Sequence, residues 1–139
     1  MSDIAPELRI SLENTPYARL LGFRLLELSE GYAKVAVTIR PEHFSFLETT
    51  DGALVMSLVD YASACAVNTL GEIRVGLQFN INFLAAAPAK GEITAEAKTA
   101  HAGRRIAVVD MSVADNTGKI IAKGTSTAIT SQNQARLKS

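Results

Sequence analysis

One acid stands alone in an otherwise apolar stretch. Residues 51–70 read DGALVMSLVDYASACAVNTL, with Asp60 at the middle. An ionised carboxylate among apolar side chains is costly unless it is paired or put to use. Asp60 is therefore the first candidate for chemistry, as a base or a nucleophile. Tyr61 and Ser63 flank it, and either suits orienting the acid or a water. Asp51 and Gly52 open the same stretch. Asp51 suits a helix N-cap, where a carboxylate accepts orphan backbone N–H groups, and Gly52 suits a turn beside a helix start. A second cluster, His101-Ala102-Gly103-Arg104-Arg105, sets a histidine and two cations on a turn. Cys65 reads as a small core residue. His43 and His101 read as solvated loop histidines.

The elements that must position these residues follow from periodicity. The stretch 51–70 is long enough for about five helical turns, and it has almost no polar face. A helix apolar all round is normally buried. Residues 5–13 read as a short helix. Asn14 or Thr15 caps a second, with Pro16 in its first turn and Gly22 as its stop. Strands are expected at 23–28, 32–40, 75–84, 92–100, 104–114 and 119–130. In 32–40, Ala33, Val35, Val37 and Ile39 alternate with polar residues; in 75–84, Leu77, Phe79, Ile81 and Phe83 do the same. Asn80 and Asn82 fall on the polar side of their strand, open to solvent or to an interface. Asp115-Asn116-Thr117-Gly118 is a hairpin turn. Residues 42–50 form a loop with two exposed-looking phenylalanines, Phe44 and Phe46, which suit packing under the loop or lining a pocket. The tail, 131–139, is polar and expected to fray.

This order gives an α+β layout: a curved antiparallel sheet of about six strands wrapped around one long helix. One sheet cannot cover both sides of an apolar helix, so a second copy of the chain is expected against it. With 139 residues, a single domain, 1–139, is the natural count. Zero formal net charge argues against a nucleic-acid binder. No apolar run spans a bilayer without interruption, and no signal peptide is legible at the N-terminus. One cysteine fits a reducing, cytoplasmic setting. No His/Cys cluster has metal-ligand spacing.

The ordered set of residues resembles a family. Asp51-Gly52-Ala53, then Leu58-Val59-Asp60, then FNINFLAAAPAKGEITAEAKTAHAGRRIAVVDMSVADNTGKIIAKGTST, is similar to the hotdog-fold acyl-CoA thioesterases of the phenylacetyl-CoA thioesterase-like (PaaI-like) group. The resemblance covers roughly Thr15 to Thr130, about one domain's length. It implies hydrolysis of an acyl-CoA to a free acid and coenzyme A, with no metal or redox cofactor. Asp60 matches the family's catalytic acid. Gly52 matches the glycine whose backbone N–H polarises the thioester carbonyl. Eight residues of helix separate the two by roughly 12 Å along the axis, and the family's answer is that they come from opposite subunits. A homodimer is therefore implied, and a dimer of dimers.

The chain departs from the family at several helpers. The family's histidine is Asp51 here and its second glycine is Ala53. An asparagine of the preceding loop matches Ser45. A serine or threonine of the next strand falls at Gly76. The resemblance implies a substrate site around Asp51, Ser45 and Gly76, with His101, Gly103, Arg104 and Arg105 near the phosphates of coenzyme A; Asn80, from its place on the polar side of its strand, is a further candidate for touching substrate across a subunit interface. These departures keep a non-catalytic acyl-CoA-binding protein open as an alternative. A hydratase or dehydratase would need a catalytic histidine, and neither histidine sits where one is expected. Ala62, Ala64 and Ala66, with Phe44 and Phe46, would suit a medium or aromatic acyl chain.

Overall fold

In the computed structural model, which describes residues 4–132, six strands form one antiparallel sheet. In chain order the elements are α1 (Pro6–Glu13), α2 (Pro16–Leu21), β1 (Arg24–Ser29), β2 (Tyr32–Thr38), a 3-10 turn (Pro41–His43), α3 (Gly52–Val67), β3 (Arg74–Phe83), β4 (Glu92–Ala102), β5 (Ile106–Ala114) and β6 (Ile120–Thr130). The spatial order is β1-β2-β4-β5-β6-β3, so β1 and β3 are the edges. The layout is the expected hotdog α+β arrangement. The tail expected to fray lies outside the described residues from 133 onward.

The long helix lies against the sheet because one flank of it is continuous hydrocarbon. Leu54, Val55, Leu58, Val59, Ala62, Cys65 and Ala66 are buried, and they meet Ala33, Val35 and Val37 of β2 and Ile93, Ala95 and Ala97 of β4 in one core. Period-two alternation puts those strand residues on a single face, as expected from the sequence. The helix is shorter than expected at its C-terminal end. It stops at Asn68, whose Nδ2 donates to Ala64 O at 2.8 Å while its Oδ1 accepts from Arg74 N at 2.9 Å. That side chain competes with the helical ladder and ties the helix end to the start of β3.

Local chemistry closes the other elements. Pro16 opens α2 and Gly22, at φ 83°, closes it in the left-handed region. In the β5–β6 hairpin, Asp115 Oδ1 accepts from Thr117 N, Thr117 Oγ1 and Lys119 N. Gly124 permits the tight β3–β6 pairing, since a Cβ there would lie 2.1 Å from Asn80 O.

The edge strand β3 differs from the other strands. Its alternation is as expected, but its apolar face is only partly covered. Phe79 and Ile81 pack against the core, whereas Val75, Leu77 and Phe83 are 50%, 59% and 52% exposed. Two loop expectations also change. His43 is buried, not solvated: Arg40 N donates to its Nδ1 at 3.1 Å and its Nε2 donates to Leu21 O at 2.9 Å. With Nδ1 accepting, the ring is the neutral Nε2–H tautomer. It clamps the 3-10 turn onto α2. Phe44 packs against the core, but Phe46 is 92% exposed.

Candidate active site

Asp60 sits on the flank of α3 that the sheet does not cover. It opens on a cavity of about 440 Å³ whose walls include Ser63, Ala64, Arg74, Gly76 and Ser126. Asp60 keeps an exposed face in the single chain, yet the groups packed around its carboxyl desolvate it in part and push it above the usual carboxylate range. The desolvated environment disfavours the charge, and no neighbouring cation offsets it. One helical turn on, Ser63 Oγ lies 2.6 Å from Ser126 Oγ, a hydroxyl pair buried in the wall of the same cavity. Two hydroxyls bonded to each other use one proton, which leaves the other able to donate.

Gly52 is the first residue of α3, at the positive end of the helix dipole. No described hydrogen bond uses its N–H; the Asp51 carboxylate accepts instead from Ala53 N at 2.8 Å. Asp51 is thus an N-cap, as its type and place suggested. Gly52 opens on a second cavity, of about 380 Å³, with Thr50, Val55, Phe83, Leu84 and Ile121. A Cβ at Gly52 would stand 3.3 Å from Phe83 Cζ, so the glycine lets this ring cover the helix start.

The remaining expected site residues separate into groups. Gly76 lines the Asp60 cavity, and a Cβ there would meet open space. Asn80 is outward on β3 and donates to Thr125 Oγ1 at 2.8 Å. Ser45 is occupied in its own turn: its Oγ accepts from Leu47 N at 3.2 Å and lies 3.2 Å from Thr49 Oγ1. His101, Arg104 and Arg105 are exposed around the β4–β5 turn, where Gly103 N donates to Ile106 O at 2.8 Å. Asp60 and Gly52 are not brought to one cavity within the single chain.

Two expectations about neighbours of the acid are corrected. Tyr61 does not line the Asp60 cavity; its hydroxyl donates to Leu12 O at 2.7 Å and its ring packs on Phe23. Of the three alanines expected to shape an acyl pocket, Ala62 and Ala66 are fully buried in the core, and only Ala64 reaches the cavity. Helical spacing explains this, since positions 62 and 66 point toward the sheet. Cys65 is buried, with its thiol pushed up to about 12 by burial, so it is inert as a nucleophile.

Arg74 was missed by sequence reasoning. It is 7% exposed and lines the Asp60 cavity. Its Nη2 donates to Gly103 O at 2.9 Å, while Nε and Nη1 have no hydrogen-bond partner among the described residues. An arginine at the head of an alternating strand reads as an ordinary solvated end, and nothing local signals otherwise. Among the described residues no His/Cys/Asp/Glu group could hold a metal ion, and no helix is long and apolar enough to cross a membrane.

Comparison with known proteins agrees with this architecture. The thioesterase superfamily model matches residues 49–122. A candidate esterase of Archaeoglobus fulgidus is 35% identical over 115 residues, covering 81% of this chain and 75% of that protein. The acyl-coenzyme A thioesterase PaaI of Escherichia coli K12 is 30% identical over 110 residues, 79% of this chain and 79% of that protein. The solved E. coli PaaI protein, from the phenylacetic acid degradation operon, superposes with a TM-score of 0.87 at 24% identity over 95% of this chain and 99% of that one. A hypothetical thioesterase protein of Streptococcus pneumoniae, solved with coenzyme A, gives a TM-score of 0.75 at 24% identity over 79% and 86%. The chain belongs to the thioesterase superfamily, in its PaaI-like group, and is a hotdog-fold thioesterase.

Proposed function

We propose that the protein hydrolyses an acyl-CoA thioester to a free carboxylic acid and coenzyme A, with Asp60 as the catalytic acid-base group. The observation that carries this reading is a lone carboxyl, partly desolvated and raised, on the wall of a cavity large enough for an acyl group. A base whose pKa is moved toward neutrality transfers protons more effectively than an ordinary carboxylate. The E. coli relative named as an acyl-coenzyme A thioesterase and the streptococcal protein solved with coenzyme A support the substrate class.

In this reading Asp60 takes a proton from water as the oxygen attacks the thioester carbonyl. Negative charge collects on the carbonyl oxygen, where the Gly52 N–H stabilises it. The C–S bond then breaks, and the departing thiolate takes a proton from the Asp60 carboxylic acid. Direct attack by Asp60 would instead form a mixed anhydride that water cleaves. A single turnover in ¹⁸O water that leaves ¹⁸O in Asp60 marks direct attack, with water cleaving the anhydride at the Asp60 carbonyl.

Gly52 and Asp60 lie too far apart along one helix to share a carbonyl, so the pair is assigned across a homodimer, itself paired into a dimer of dimers. The exposed Val75, Leu77 and Phe83 of the edge strand support such a contact, since an uncovered apolar edge invites pairing. Asp51, Ser45, Gly76 and Asn80 are assigned to the substrate's surroundings. His101, Gly103, Arg104 and Arg105 are assigned to the coenzyme A phosphates, and the setting to the cytoplasm. The chemistry uses protein groups alone, with no cofactor.

The test is thiol release from acetyl-, hexanoyl-, palmitoyl-, phenylacetyl- and hydroxybenzoyl-CoA, with wild type and Asp60→Asn side by side. Turnover that vanishes in the variant establishes the reading. Equal turnover in both removes Asp60 from the mechanism.

A further inference from the structure

Resting on the acyl-CoA reading above, we propose that Phe83 selects the acyl group: the Gly52 cavity receives the acyl arm of the substrate, and the Phe83 ring excludes acyl groups branched at the carbon next to the carbonyl.

In that reading the carbonyl lies between Gly52 of one protomer and the partner's Asp60, so each cavity is open to one arm of the thioester. Both have room for an acyl group, and their walls differ. The Asp60 cavity, of about 440 Å³, carries Ser63, Gln78 and Ser126 besides the acid. The Gly52 cavity, of about 380 Å³, has no charged side chain among its lining residues, and Val55, Phe83, Leu84 and Ile121 make much of its wall. Its polar groups are largely spent. Thr50 Oγ1 donates to Pro88 O at 2.6 Å, and Thr49 Oγ1 lies 3.2 Å from Ser45 Oγ. The N–H groups of Leu84 and Ala85 both donate to Ile121 O, at 2.8 and 3.2 Å. The pantetheine arm of coenzyme A carries amides, and amides placed without partners are costly. A hydrocarbon chain asks for none. The acyl arm therefore goes to the Gly52 cavity, and the coenzyme A arm leaves by the side that offers polar groups.

Phe83 is the last residue of β3 and shares a face with Phe79 and Ile81, which pack against the core. The tip of its ring is turned to the helix start. A Cβ on Gly52 would lie 3.3 Å from Cζ, 3.7 Å from Cε1 and 3.8 Å from Cε2. The shortest of these is already inside the favourable separation of two carbons, about 3.5–4.0 Å. An acyl chain that starts at Gly52 in this cavity therefore begins beside an aromatic ring, where there is little room to spare. A methylene chain passes such a ring. A methyl branch on its first carbon adds bulk at the place where the ring and the helix start already meet. A branch farther along the chain is clear of that contact. Phe83 is also half exposed, so a shorter side chain there removes little of the core. Position 83 thus acts on the substrate more than on the fold.

The test compares isomeric thioesters that differ only in where they branch. Hexanoyl-CoA is run against α-methylpentanoyl-CoA, branched beside the carbonyl, and γ-methylpentanoyl-CoA, branched at the far end. Butanoyl-CoA is run against isobutyryl-CoA. Wild type is expected to favour each straight chain over its α-branched isomer by about tenfold or more in kcat/KM, the lower end of what one methyl group is worth in an apolar pocket. Phe83→Ala is expected to lose most of that ratio, with Phe83→Leu between, while the γ-branched ratio stays near the wild-type value. A ratio of two substrates on one preparation does not depend on the folded fraction, so damage to the fold alone leaves it unmoved. No α-branch discrimination in wild type, an unchanged ratio in Phe83→Ala, or an equal change in the γ-branched ratio overturns the proposal. A chain that hydrolyses none of these thioesters loses the hydrolytic reading, and the cavity is then read by binding. The probes are non-hydrolysable ketone analogues of the same acyl-CoAs, in which a methylene separates sulfur from carbonyl. Tighter binding of the straight analogue in wild type, lost in Phe83→Ala, keeps the role of the ring; equal binding of the two overturns it.

Discussion

The two flanks of α3 are built from one run of sequence and do opposite work. The flank toward the sheet carries Leu54, Leu58, Val59, Ala62, Cys65 and Ala66, all buried in a dry core. The other flank carries Met56, Asp60 and Ala64, open on the single chain, with the Asp60 cavity beside them. Packing settles the first flank, and the cost of moving any atom there is stability. Beside the second flank lie a partly desolvated acid and a buried arginine with unused donors, and both are liabilities to the fold. Groups that weaken a structure are retained where they serve chemistry.

Asp60→Asn should sharpen this contrast most. Turnover is expected to fall by about a hundredfold to ten-thousandfold, the range for a general base. Stability should rise at neutral pH. Folding raises the Asp60 pKa above its unfolded value, so the folded chain holds that proton more tightly. The stabilisation is present at low pH and is lost as pH rises through the folded value. The amide removes that penalty. Thiol release and thermal unfolding on the same preparations check both halves, and a variant both active and less stable would break the comparison.

Leu58→Ala, on the other flank, should cost about 2–5 kcal/mol of stability through lost contacts and a cavity. Fully folded variant should retain its dependence on Asp60. Urea unfolding, read beside kcat of the folded fraction, separates the two effects. The wild-type pH profile adds a third test. Activity that depends on ionised Asp60 should rise with pH along an acid limb displaced above the ordinary carboxylate range. A limb at the ordinary value would remove the desolvated acid from the rate-determining step.

Smaller effects belong to the periphery. Replacing Arg104 and Arg105 together by Ala should raise KM for acyl-CoA by severalfold, more at low salt, because exposed charges act through a screened field. Steady-state kinetics at two ionic strengths check it. Asp51→Ser should preserve most activity and change stability by less than about 1 kcal/mol, since serine also caps helices well. A large loss of kcat in that variant would give Asp51 a part in the chemistry that its N-cap bond does not.

Much of this was legible beforehand for physical reasons. Alternation of apolar and polar residues places β2 and β4 because a pleated strand alternates its faces. Asp51 announced the helix start because few residues cap one well. Asp60 stood out because carboxylates are rare inside apolar helices. The histidine at position 43 was misread because burial depends on where α2 lies, and its two bonding partners, Arg40 N and Leu21 O, are set by the tertiary path of the loop. Tyr61, adjacent to the acid in sequence, serves α1 instead, since neighbours on a helix point about 100° apart.

The sequence by itself determined the helix, the strands, the acid and the family to which they belong. Their signals are periodic or local, and periodicity survives without coordinates. Only the tertiary structure decided that Gly52 and Asp60 open on separate cavities, that Ser63 meets Ser126 from 63 residues away, and that Arg74 is a buried cation among the residues lining the Asp60 cavity. Those relations join residues distant in the chain, and contacts of that kind exist only once the sheet has closed around the helix.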